Sequence, residues 1–118
     1  MPAIDPKVME DLRALQAGGS NSFLADLIGI FLKEQAQHLA LLRKAFEDRD
    51  APVLERVAHT MKGSCGNLGA RDLSKVCAEL QGVVRAADWA RSEALVRRIE
   101  QDSVAVEAEL LAEKARLP

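Results

Sequence analysis

His59 and Lys62, one helical turn apart in "HTMKGSCGNLG" (residues 59–69), are the residues whose types and spacing can do chemistry. A histidine in water ordinarily titrates near pH 6.5, so a neutral, nucleophilic imidazole is abundant at neutral pH. Such an imidazole can form a covalent intermediate in group transfer. A lysine three residues on shares the helix face and can pair with a phosphoryl group carried by the ring. Gly63 and Gly66 each cost about 1 kcal/mol in a helix interior relative to alanine. A helix that accepts this cost on its histidine side gains clearance there for another protein's reactive group. Gly69 needs no such reason, because a glycine after the last periodic residue ends a helix.

The helix that must position these residues can be drawn at about 100° per residue. With His59 at the origin, Val57, Met61 and Leu68 fall at about 160°, 200° and 180°, flanked by Leu54, Val53, Ser64 and Cys65. The apolar stripe is therefore opposite His59, which points into water. Around it lie Pro52, Glu55, Arg56, Gly63 and Gly66, with Lys62 about 60° to one side. Each feature alone has an ordinary explanation. Surface histidines are common, a lysine at i+3 is unremarkable, and glycines also serve close helix packing. Here the glycines lie on the side away from the apolar stripe, which weighs against packing. His38 has no comparable neighbourhood and reads as a surface or boundary residue. Cys65 and Cys77 sit on or beside apolar stripes and read as small buried thiols. The runs "RKAFEDRD" and "VRRIEQD" read as solvated faces of mixed charge.

The rest of the chain reads as helices with short breaks. Asp5 and Pro6 start a short helix over about 5–17, and "GGSN" at 18–21 ends it. Ser20 or Asn21 can cap the next helix, about 22–48, striped by Leu24, Leu27, Ile28, Phe31, Leu39, Leu42 and Phe46. Asp50 caps a third, about 51–68, which tolerates Pro52 in its first turn. Leu73, Val76, Leu80 and Val84 stripe a fourth, about 71–86. Asp88 caps a fifth, about 88–115, carrying Leu95, Ile99, Val106 and Leu110, and Trp89 staples its start to the core. The expectation is an all-α single domain over 1–118: an antiparallel four-helix bundle with a short N-terminal helix packed across one end.

Composition removes other classes. The net charge of −2 over 118 residues gives no footprint for nucleic acid or an anionic membrane. Two cysteines without a CxxC or a Cys/His cluster argue against zinc and a disulfide framework, so no metal site is expected. No apolar run approaches the ~20 residues of a membrane span, and no signal-peptide core opens the chain. A reduced, cytoplasmic monomer is expected. No glycine-rich phosphate loop or nucleotide motif is visible.

The stretch "AHTMKGSCGNLGARDLSKVCAELQ", Ala58 to Gln81, resembles the signature of histidine-containing phosphotransfer (HPt) domains. The shared pattern is His-x-x-Lys-Gly-Ser, then Leu-Gly, then a Leu-x-x-x-Cys-x-x-Leu/Ile-Glu/Gln helix. The resemblance extends back through "LRKAFEDRDAPVLERVAHT" and, with the helical layout, over nearly the whole chain. Cys65-Gly66 departs from the commoner Ser-Ala, but both residues remain small. The resemblance implies that His59 accepts a phosphoryl group from a receiver-domain aspartate and that Lys62 stabilises its oxygens. It implies that Gly63 leaves room for the receiver and that Gln81 hydrogen-bonds and orients the imidazole. Gly66 joins Gly63 on the partner-facing side, and Arg85, one turn beyond Gln81, is a candidate for receiver contact or phosphate electrostatics.

With no cofactor of its own, the chain is expected to be a phosphorelay intermediate without autokinase activity. Receiver domains of response regulators or hybrid kinases are the expected partners, and they bring the aspartate and Mg²⁺. Three other readings make different demands. A receiver-binding module that has lost transfer is favoured by loss of the histidine, and His59 is present. A general-base enzyme needs a cleft with a second catalytic group. The dimerisation helices of a histidine kinase need an ATP-binding domain.

Overall fold

The computed structural model describes residues 2–17 and 22–117. It contains α1 (Pro6–Ala17), α2 (Phe23–Glu47), α3 (Ala51–Asn67), α4 (Arg71–Arg85) and α5 (Trp89–Arg116), and no strand among the described residues. Helices α2 to α5 pack in a ring, each against the next and α5 against α2. The turns between them hold only a few residues, so neighbours are antiparallel. At a rise of about 1.5 Å per residue α5 is ~42 Å long, nearly the 46 Å length of the molecule.

The apolar stripes face one another along the ring axis. Leu24, Ile28 and Leu42 of α2, Leu54 and Met61 of α3, Leu73 and Leu80 of α4, and Ile99 and Leu110 of α5 are all fully buried. Trp89 packs on Phe46 with ring centroids 6.2 Å apart, tying the start of α5 to the end of α2.

Three turns close the bundle by the same device. After α2, α3 and α4 a residue enters the left-handed region: Arg49 (φ 54°), Gly69 (φ 83°) and Ala87 (φ 57°). The next residue's N–H then reaches back to a carbonyl of the last turn: Asp50 to Ala45, Ala70 to Cys65, Asp88 to Val83. Asp50 and Asp88 then cap the following helices, accepting from the N–H groups of Val53 and Arg91. Asp5 does the same for α1 through the Lys7 N–H.

Two details depart from the sequence expectation. Ser20 and Asn21, expected to cap α2, lie outside the described residues, as do Gly18 and Gly19. The N-cap of α2 is Ser22, without a side-chain cap bond, and the Leu24 N–H is satisfied by Gln16 Oε1 of α1 at 2.7 Å. The two charge runs are not simply solvated faces. Arg43 of the first forms a two-pronged ion pair with Glu100 of the second, joining α2 to α5 with both side chains about one-third exposed.

Helix α1 lies across the end where α3 turns into α4. The Asp5 N–H donates to Gly69 O at 2.8 Å, and Arg71 Nε donates to Asp5 Oδ2 at 2.7 Å. Arg13 grips the buried Glu113 carboxylate of α5, and the N–H groups of Ala3 and Ile4 donate to Glu109.

Candidate functional site

His59 is exposed near the middle of α3, and the side of that helix facing α4 is pinned above and below it. Towards the C-terminal end of α3, Ser74 Oγ donates to the Lys62 carbonyl at 2.8 Å. Towards the N-terminal end, Arg85 Nε donates to Glu55 Oε1 at 2.5 Å. Ser74, Gln81 and Arg85, spaced by seven and four residues, form one row along α4. Glu55, His59, Lys62 and Gly66 form the matching row on α3. His59 therefore sits on a fixed seam, between its two pinning contacts, with Gln81 on the facing row.

The immediate surroundings suit transfer to a second macromolecule. A Cβ added at Gly63 would meet nothing within 4 Å, so the helix surface next to the imidazole is open. Gly66 differs: its added Cβ would lie 3.5 Å from Ser74 Oγ, in ordinary contact with α4. Lys62 is half-buried and makes no ion pair among the described residues, which leaves its ammonium donors uncommitted. Arg85 is committed to Glu55. Gln81 is buried, and no hydrogen bond joins it to His59. The contact implied by the family resemblance is thus not made in this state, although the two residues share the seam.

Other reactive residues are placed away from this work. Cys65 and Cys77 are fully buried. Burial pushes their thiols up to about 11 and about 12, so both are neutral and unreactive near pH 7. His38 is on α2, half-buried, with Nδ1 shielded from solvent. Among the described residues no three His, Cys, Asp or Glu side chains gather as a metal site would require. No helix of the described residues is long and apolar enough to cross a membrane.

The family model of the Hpt domain matches residues 26–115. This chain belongs to the Hpt domain family. The match takes in all of α3 and α4 and most of α2 and α5, while α1 lies outside it. The crystal structure of histidine-containing phosphotransfer protein B (HptB) from Pseudomonas aeruginosa PAO1 superposes with a TM-score of 0.86 at 28% identity, covering 99% of this chain and 98% of that one. Multistep phosphorelay regulator 1 of Schizosaccharomyces pombe is 29% identical over 87 residues, 72% of this chain. The chain spans about 30% of that relative's length. HptB carries the name of a phosphotransfer protein and the Schizosaccharomyces pombe relative that of a phosphorelay regulator.

One member of the site, Glu55, and one glycine that follows Gln81 on α4 are not evident from sequence reasoning. Glu55 stands out only as a neighbour of His59 on the wheel; its bond to Arg85 depends on the register of α3 against α4. Gly82 is a helix-interior glycine on α4, exposed, with nothing within 4 Å of an added Cβ. Its signal is the same as that at Gly63: a poor helix former kept on a solvent face.

Proposed function

We propose that this Hpt domain takes a phosphoryl group onto His59 from a receiver-domain aspartyl phosphate and passes it to a second receiver. The observation that carries this reading is the combination at one exposed point of α3: a solvent-facing imidazole, the uncommitted Lys62 ammonium, and open space over Gly63. The lone pair of an unprotonated ring nitrogen forms the N–P bond as the P–O bond to the aspartate breaks, returning a carboxylate to the receiver. The reverse step hands the phosphoryl group on. Lys62 meets the charge on the phosphoryl oxygens through charge-assisted hydrogen bonds. Gln81, on the facing row, orients the imidazole in a contact made during transfer. Gly63 and Gly66 face the docked partner, and Mg²⁺ belongs to the receiver. The domain works as a cytoplasmic monomer and does not phosphorylate itself from ATP.

The test is His59→Gln. His59 is exposed and opposite the core, so the variant should melt like the parent. It should take no acid-labile label from a panel of phosphorylated receivers that label the parent. Labelling that persists in the variant and maps to His38 would overturn the assignment. Label taken by the parent from ATP alone would overturn the relay reading.

A further inference from the structure

Glu55 is a puzzling neighbour for a nucleophile that becomes an anion. It lies four residues before His59 on the same face of α3, where side chains of one turn meet. A phosphorylated imidazole puts close to two negative charges beside this carboxylate. The same carboxylate holds the Arg85 guanidinium through a single bond, Nε to Oε1 at 2.5 Å. Arg85 is 65% exposed, so its stem turns in water, and its remaining N–H donors are uncommitted. An ion pair this exposed adds little to stability, so the seam does not depend on it. Its placement acts on whatever His59 carries.

Resting on the phosphotransfer reading, we propose that Glu55 limits how firmly His59 holds its phosphoryl group, by competing with that group for Arg85. In the resting domain Arg85 stays on Glu55. Once His59 is phosphorylated, the planar fork of the guanidinium matches the phosphoryl oxygens better than it matches one carboxylate oxygen. Arg85 then exchanges across one helical turn, leaving Glu55 unpaired beside the new dianion. Lys62, bonded to no acid, assists in both states. Glu55 therefore keeps the phosphohistidine from becoming a sink, which suits an intermediate that must pass its load on.

The experiment uses the full chain and phosphoramidate, a small donor that exchanges ammonia for the imidazole. The ratio of labelled to unlabelled protein is obtained from the ³¹P NMR signal of the phosphohistidine and the known total protein, at fixed phosphoramidate and ammonia. Two charges about one turn apart in a solvent-exposed setting should make Glu55→Gln raise this ratio by about three- to tenfold. Arg85→Ala should lower it by a similar factor. In the Arg85→Ala background, Glu55→Gln should have a smaller effect than in the parent. An equal effect in both backgrounds would mean plain repulsion without exchange, and no effect would remove Glu55 from the site; either overturns the proposal. An independent readout needs no variant: the Arg85 Nε–H resonance of the parent should shift when His59 is phosphorylated. A labelled parent with that resonance unmoved overturns the exchange alone. A parent that takes no label overturns the phosphotransfer reading and this inference together.

Discussion

Replacing Gly63 separates partner access from folding more cleanly than any other change at the site. An alanine there would place its Cβ in open space, with nothing within 4 Å. The only folding term left is helix propensity, which favours alanine by up to about 1 kcal/mol, partly through the unfolded chain. For 118 residues, an unfolding entropy of roughly 2.1 cal/mol/K per residue amounts to about 0.25 kcal/mol/K, so Gly63→Ala should raise Tm by up to about 4 °C. Glutamine is nearly as good a helix former as alanine, so Gly63→Gln should keep most of that gain. It also projects a long side chain into the space beside the imidazole. The assay compares two phosphoryl donors on the same variant, a phosphorylated receiver domain and phosphoramidate. Transfer from the receiver should slow while phosphoramidate still labels His59 at the parental rate. Equal slowing with both donors would mean a disturbed imidazole. Unimpaired receiver transfer in Gly63→Gln would refute the access argument, and a lower Tm in Gly63→Ala would refute the open space.

Three further outcomes follow from the same geometry. Lys62→Ala should cut the rate of transfer to His59 while moving stability by less than about 0.5 kcal/mol, since its ammonium holds no partner in the resting fold; a destabilised variant with normal rates would make Lys62 structural. Gly69→Ala should destabilise by about 2 kcal/mol or more, measured by urea denaturation, because the residue sits at φ 83° and the new Cβ would lie 2.8 Å from Val8 Cβ; an unchanged urea midpoint would refute this. The buried thiols should make the fold sensitive to alkali: their pKa values rise from 9.0 to about 11 for Cys65 and about 12 for Cys77 on folding, so the stability they contribute is complete below pH 9 and is lost as pH rises through the folded values. A urea midpoint that does not fall between pH 9 and 11, or thiols that react with a disulfide reagent at pH 8 before unfolding, would contradict that burial.

What the sequence made legible are relations within one helix. Period, helped by the caps at Asp5, Asp50 and Asp88, put the five helix boundaries within about a residue or two of those observed, although the cap expected for α2 was misplaced. The wheel of α3 alone put His59 opposite Val57 and Met61. Relations between helices were less legible. Arg43 with Glu100 and Arg85 with Glu55 each join two helices, and no periodicity reports the register of one helix against another. Two of the three left-handed turn residues were hidden as well. Arg49 and Ala87 carry side chains that usually avoid this region, so only the following Asp50 and Asp88 marked those breaks. At Arg49 the structure shows a compensation: its guanidinium donates to the Phe46 carbonyl at 2.8 Å and lies over the Phe46 and Trp89 rings.

Register is also what makes this site. The turn at Gly69 fixes how far α4 slides along α3, and both seam contacts, Ser74 to Lys62 and Arg85 to Glu55, depend on that slide. A shift of a single residue would rotate Gln81 and Arg85 about 100° around α4 and off the row that faces His59. The turn is in turn held by α1: Val8 packs on the bare face of Gly69, the Asp5 N–H takes the Gly69 carbonyl, and Arg71 at the first turn of α4 is bonded to Asp5. A side chain at position 69 would push Val8 away and strain the turn at once. The short N-terminal helix lies outside the residues matched to the family, yet it clamps the element that aligns the two rows of the site. The physical chain from Asp5 to His59 therefore runs through backbone geometry and not through any contact with the imidazole.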